Sequence, residues 1–233
     1  MIKYFFIILF LISSLFATTI KNRLEKAEVG DYMVTISGKT YFLLLVEKKN
    51  QESIIISEIA IEKEKIKKNF SWREWIKNNS PYNLSWHVYE IDLNNEKLKR
   101  CLSVNENKFT NNETLTLKLL SIPLSIVPTE KRKKIGPPPL NEEKDIRSIW
   151  NPPMYIDKKK VKNANFEVYQ AKWPKDNSSL SGKVINIYFD KEKKFSFPFW
   201  IEIETNHLDI ILKTVDSGKN IKIPQRLFLK KFS

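Results

Sequence analysis

The chain has 233 residues, one cysteine, two histidines and 40 basic against 27 acidic side chains, a formal charge of +13. One cysteine excludes an internal disulfide, and two histidines exclude a three-histidine metal centre. Only six basic residues are arginine, whereas phosphate and base readers favour the planar guanidinium fork, so the charge predicts weak affinity for anionic surfaces and no specific nucleic-acid site.

The amino terminus, MIKYFFIILFLISSLFATT, has a basic start, an apolar run from Tyr4 to Phe16 and the small Ala17. That order predicts a secretory signal peptide over 1–17 and export to the periplasm or cell surface after cleavage. The apolar run falls short of the ~20 residues a helix needs to cross a bilayer, which makes retention as an anchor the weaker alternative. KNRLEKAEVG predicts a short helix ended by Gly30. DYMVTI, TYFLLLV and SIIISEIAI predict a three-stranded meander, with YFLLLV, apolar on both faces, as a central strand. In FSWREWIKNN, Ser71 and Glu74 form a capping box, and Trp72, Trp75 and Ile76 share one side of a short helix. LSWHVYEIDL and KLKRCLSV predict a hairpin joined by Asn94-Asn95-Glu96, and ETLTLKLL a second short helix.

The stretch from Pro123 to Pro153 holds most of the 11 prolines and has little periodicity. It reads as a linker, or as a polyproline strap anchored by Ile149 and Trp150. From Asn165 onward NFEVYQAKW, GKVINIYFD, FPFWIEIET and LDIILKTVD predict four antiparallel strands. Phe199, Ile201 and Ile203 share one face of the third, and Trp200, Glu202 and Glu204 the other. A sheet that is apolar on one face needs a cover, which helices at 71–78 and 113–120 would supply. The expected fold is α+β: one or more mainly antiparallel, curved sheets with a few short covering helices and a Pro-rich strap. The chain divides into the signal (1–17), a β-rich part with short helices (18–122), the strap or linker (123–153) and a C-terminal antiparallel sheet (154–233).

Ser-Gly-Lys occurs three times, at Ser37, Ser181 and Ser217. A P-loop needs another glycine five residues before the second, and a helix beginning at the lysine, so that backbone N–H groups surround a phosphate. Those positions hold Met33, Asn177 and Lys213, and Lys39 leads into a strand. All three copies are read as turns in which glycine supplies a positive φ. His87 is expected to be a packed strand residue, His207 an exposed turn residue and Cys101 a small buried apolar side chain. Glu202 and Glu204 stand ~7 Å apart on one strand face, within reach of an inverting glycosidase pair, although any wetted strand produces such spacing. No Gly-x-Ser-x-Gly, nucleophile-base set, metal-ligand set or cofactor motif is present.

SWHVYEIDLNNEKLKRC, KRKKIGPPPL, RSIWNPP, AKWPKDNSSLSGKVINIYFD, FPFWIEI and KTVDSGK, in that order, resemble an uncharacterised exported protein family of Chlamydia-like bacteria. The resemblance covers most of residues 70 to 220 and implies no activity. The layout IYFDKEKKFSFPFWIEI, a strand, a charged turn and a Pro-led strand, is similar to periplasmic lipoprotein-carrier half-barrels, whose curved antiparallel sheets hold acyl chains against covering helices. No functional residue of the carriers matches here.

Export, one-sided strands, abundant aromatics and the absence of a catalytic set predict a non-enzymatic envelope protein. It would hold an apolar, lipid-like ligand or a lipoprotein in a sheet groove lined by Trp173, Phe197, Phe199 and Trp200. A second reading is a structural or interaction module that docks an envelope partner through Pro137, Pro138, Pro139 and Trp150. A remote third is a glycan hydrolase using Glu202 and Glu204.

Overall fold

The computed structural model describes residues 20–95, 97–110, 118–119, 122–139, 145–192, 194–205 and 210–232. The expected signal peptide, most of the helix expected over 113–120 and His207 lie outside the described residues. The chain is mainly β. Helix α1 (Ile20–Leu24) is followed by strands β1 (Tyr32–Ser37), β2 (Thr40–Lys49) and β3 (Ser53–Glu62), helix α2 (Trp72–Lys77), β4 (Ser85–Asp92), β5 (Leu98–Ser103), β6 (Lys108–Thr110) and β7 (Ser125–Ile126). Then come β8 (Tyr155–Ile156), β9 (Lys159–Lys160), β10 (Phe166–Lys172), β11 (Val184–Asp190), β12 (Trp200–Ile203) and β13 (Ile210–Gly218).

Among the described residues, eleven strands form one curved sheet in the order β6-β5-β4-β3-β2-β1-β13-β12-β11-β10-β7, while β8 and β9 pair separately. Two antiparallel meanders meet where β1 pairs with β13, from Tyr32 opposite Gly218 to Ile36 opposite Lys213. Strand β2 lies between β1 and β3 and is flanked on both faces, which its two-sided apolar run requires.

Successive side chains of a strand point to opposite faces, so β2 divides its residues between two cores. Leu43 and Leu45 point with Val34, Ile59, Ile61 and Val88 to a face closed by α2 and a 3-10 turn over Leu227–Phe232. Ser71 caps α2 by accepting a hydrogen bond from the Glu74 N–H at 3.3 Å, and the helix buries Trp72, Trp75 and Ile76 on the sheet. The rings of Trp72 and Trp75 meet edge to face with centroids 5.8 Å apart.

This helix face also contains a buried ion pair. The β2–β3 register passes from Val46 opposite Ile56 to Lys48 opposite Ile55, which leaves Glu47 as the extra residue of a bulge, its side chain fully buried. Its Oε1 accepts from Ser57 Oγ at 2.6 Å and lies 3.3 Å from Arg226 Nη1. Trp86 Nε1 donates to the same Ser57 hydroxyl at 3.0 Å, and the Arg226 guanidinium stacks 4.3 Å from the Trp86 ring centre. Burial pushes the Glu47 carboxyl up from its ordinary range, and Arg226 and Ser57 oppose that shift.

Glycines depart from two sequence expectations. Helix α1 ends at Leu24, well before Gly30. Gly30, at φ 89°, instead lets two backbones touch: a Cβ there would lie 2.6 Å from the carbonyl oxygen of Ile221. Gly38 and Gly182 have positive φ, as turn residues should. Gly218 does not; it ends β13, where a Cβ would overlap the Tyr32 ring and the Asp157 carboxylate. The third Ser-Gly-Lys is therefore a packing site. Tyr32 donates to Asp216 at 3.1 Å, and Arg73 makes two hydrogen bonds to Asp157, at 2.7 and 3.0 Å.

Candidate ligand cavity

The face of the sheet opposite α2 encloses a cavity of about 320 Å³. The side chains alternating with Leu43 and Leu45, namely Phe42 and Leu44, form its floor, with Ile56 on β3 and Tyr89 and Ile91 on β4. Thr35 and Ser37 of β1 continue the floor to Ile210 and Leu212 of β13 and Ile201 of β12. Phe197 and Pro198, just before β12, close one side, and Ile20 and Leu119 lie over it. Helix α1 is fixed over the sheet by Arg23, which forms an ion pair with Glu167 and stacks 4.3 Å from the centre of the Phe189 ring.

Glu58 is the single charged residue among the described lining residues. It sits on β3 with Leu44 opposite on β2 and His87 opposite on β4. The Tyr89 hydroxyl donates to Glu58 Oε1 at 3.4 Å, and the His87 ring stacks parallel to Tyr89 at 6.3 Å. Cys101, opposite Tyr89 on β5, is buried and free; burial, and next the charge of Glu58, push its thiol up to about 11. Among the described residues, no group of three or more His, Cys, Asp or Glu side chains is placed to hold a metal ion. An apolar enclosure with one acid can bind, but it contains no nucleophile-base arrangement among its described lining residues.

Of the four aromatics expected to line a groove, Phe197 lines this cavity. Phe199 is fully buried between Phe166 and Phe195, with ring centroids 5.9 and 5.5 Å away. Trp173 is core, its indole N–H donating to Asp176 at 3.2 Å. Trp200 packs edge to face on Trp150 at 5.3 Å, and Trp150 also meets Tyr188 at 5.4 Å. Trp150 and Trp200, expected in separate sites, thus touch. Burial, and next the charge of Glu202, push the Tyr188 hydroxyl up to about 12. Lys133 pairs with Glu202 at 3.0 Å, and Glu204 accepts from Asn186 Nδ2 at 3.1 Å; neither acid lines the cavity. Pro137, Pro138 and Pro139 are exposed.

Sequence reasoning looked for the site on the C-terminal strands and missed the wall supplied by β2, β3 and β4. The signal there was Glu58 itself, an isolated acid in the apolar strand SIIISEIAI.

The profile of the family described as CT021 protein matches residues 42–162, more than half of the chain. The chain belongs to the CT021 protein family. A solved structure of the hypothetical protein CT021 from Chlamydia trachomatis has a TM-score of 0.66 to this chain at 20% identity, covering 91% of this chain and 98% of that one. That likeness is one of fold. No curated protein matches. The CT021 match takes in most of β2 and all of β3 through β9, and with them Phe42, Leu44, Ile56, Glu58, Tyr89 and Ile91 of the cavity wall.

Proposed function

We propose that this chain is a non-enzymatic envelope protein, exported by its amino-terminal segment, that holds an apolar, lipid-like ligand against the inner face of the sheet. The observation that carries this reading is the cavity. Its volume of about 320 Å³ falls at the lower end of the range of small-molecule sites, and its lining is apolar apart from a few hydroxyls and one acid. The opposite face of β2 is, by contrast, closed by three tryptophans, Trp72, Trp75 and Trp86. A single-chain ligand suits the size, and a lipoprotein would enter by its acyl chain.

The test combines organic extraction of the purified protein, read by mass spectrometry, with titration of the neutral apolar dye Nile red. A bound lipid or saturable dye binding is expected, and Leu44→Trp, which fills the floor, should abolish dye binding while keeping the cooperative thermal transition. Protein that yields no lipid and takes up no dye would refute the reading.

A second reading is favoured by the proline-rich segment. Lys134 and Ile149 pair, Ile135 N–H donates to the Ser148 carbonyl at 2.9 Å, and Asp145 joins Lys134 and Arg147 at 2.9 Å each. Beyond this clamped base Pro137, Pro138 and Pro139 are exposed, with Ile135 and Ile146 also exposed beside the base. Such a strap would suit an envelope partner whose groove is lined with aromatic rings.

A further inference from the structure

We infer that the β8–β9 hairpin and the loop before α2 together form a docking surface for an anionic phospholipid bilayer. Its residues are not among the described lining residues of the cavity, and it shares only the envelope setting with the reading above. Two segments far apart in sequence build the surface. KIKKNF, at 65–70, carries Lys65, Lys67 and Lys68, and YIDKKKVK, at 155–162, carries Lys158, Lys159, Lys160 and Lys162. Between them they hold one acid, Asp157.

The fold joins the two segments through named contacts. Phe70 N–H donates to the Lys67 carbonyl at 2.9 Å, and the Lys158 ammonium donates to the Phe70 carbonyl. Arg73 of α2 clamps Asp157 through its two hydrogen bonds and gives a third to the Lys219 carbonyl at 3.1 Å. The charge of Asp157 is thereby met by Arg73. Behind the hairpin, Asp157 N–H donates to the Ser217 carbonyl at 2.8 Å, Ser217 Oγ to the Tyr155 carbonyl at 2.7 Å and Lys158 N–H to the buried Asp216 at 2.8 Å. Asp157 and Lys158 have φ of 47° and 65°, the left-handed pair that a tight hairpin requires and that Asn-Gly usually supplies. The hairpin is thus a fixed platform rather than a loose loop.

Lys65, Lys67 and Lys68 on one side of this junction, and Lys159, Lys160 and Lys162 on the other, are exposed. Like charges this close on a surface add their potentials instead of acting singly. Acids on neighbouring elements have partners of their own: Glu74 pairs with Lys77 at 2.8 Å, and Glu28 and Asp31 with Lys219 at 3.5 and 3.9 Å. Glu62 and Glu64 precede the first segment. The kind of base present selects the partner. Point charges on flexible stems suit a field of mobile phosphate head groups, where each lysine near the surface raises binding by about fivefold. The fixed backbone of a nucleic acid is gripped best by guanidinium forks, and Arg73, the arginine beside the patch, is committed to Asp157.

The experiment uses the full chain as its producing cell processes it, with its mass recorded, and measures co-sedimentation with phosphatidylcholine vesicles with and without about one third phosphatidylglycerol, at about 0.1 M salt. The anionic vesicles should bind about tenfold or more tightly than the neutral ones. Changing Lys67, Lys68, Lys159 and Lys160 together to Gln should lose about tenfold or more of that binding. Changing Lys97, Lys108, Lys172 and Lys175 to Gln removes the same charge from other parts of the surface and should cost about threefold at most. If the first set loses its thermal transition, Lys159→Gln with Lys160→Gln alone decides, and it too should lose more than the control set. Equal losses in the two sets, or equal binding to both kinds of vesicle, overturn the assignment. So does a patch variant that loses affinity for duplex DNA but keeps its affinity for the anionic vesicles. Nile red uptake by the cavity is read separately, so either reading can fail while the other stands.

Discussion

Along β2, neighbouring side chains meet opposite environments. Leu43 and Leu45 are fully buried beneath α2, Trp75 and Trp86, whereas Phe42 and Leu44 are half-buried and border open space. The same backbone, with the same twist and hydrogen bonds, therefore serves a filled core on one side and an enclosure on the other. The filled side is even overcommitted: it buries a glutamate and an arginine together, Glu47 and Arg226. This contrast teaches that the emptiness of the cavity face follows from what covers it, because β2 supplies leucine to both faces.

The largest effect should come from breaking the ion pair of the filled face. Arg226→Leu leaves Glu47 charged and buried without its partner, and chemical denaturation should show a loss of about 3–5 kcal/mol. Replacing both, with Glu47→Leu added, should recover most of that loss, since an apolar pair of similar volume is close to neutral. A double variant as unstable as the single would show that the pair itself stabilises the fold. Next in size is a direct comparison on β2. Leu45→Ala should cost about 2–5 kcal/mol by emptying a packed site, whereas Leu44→Ala, already beside free space, should cost about 1 kcal/mol. Equal losses would mean that the two faces are packed alike. The smallest effect is kinetic and concerns the margin of the cavity face. With its thiol pushed up to about 11 and buried, Cys101 should stay unreactive toward Ellman's reagent at pH 8 and react fully once guanidinium unfolds the chain. Rapid reaction in the folded protein would place Cys101 on an opening.

Much of this architecture was legible in the sequence because alternation and capping are local. Strands such as β11 and β12 carry a period of two, β2 a run apolar on both faces, and Ser71 with Glu74 marks the start of α2. Strands β7, β8 and β9 were not legible, since two residues cannot display a period. Gly218 misled because a tripeptide shared with two turns says nothing of a tyrosine 186 positions earlier (218 − 32) that packs against it. The cavity was anticipated on the C-terminal strands, which supply only part of its wall, for a related reason. Trp173, Phe199 and Trp200 do lie on apolar or aromatic faces, but which face is filled and which is left open is decided by covers that come from distant parts of the chain: Ile20, Leu119 and Phe197 on one side, α2 and the C-terminal turn on the other.

The seam between β1 and β13 has a kinetic consequence. The long neighbouring ladders are formed by segments close in sequence, so each meander can zip from its own hairpins, but the seam closes a loop spanning most of the chain. That closure entropy is met before the contacts that repay it exist. Assembly is then expected to end with two preformed ribbons joining, and until they do, each exposes a raw strand edge to the solvent of whatever compartment it folds in.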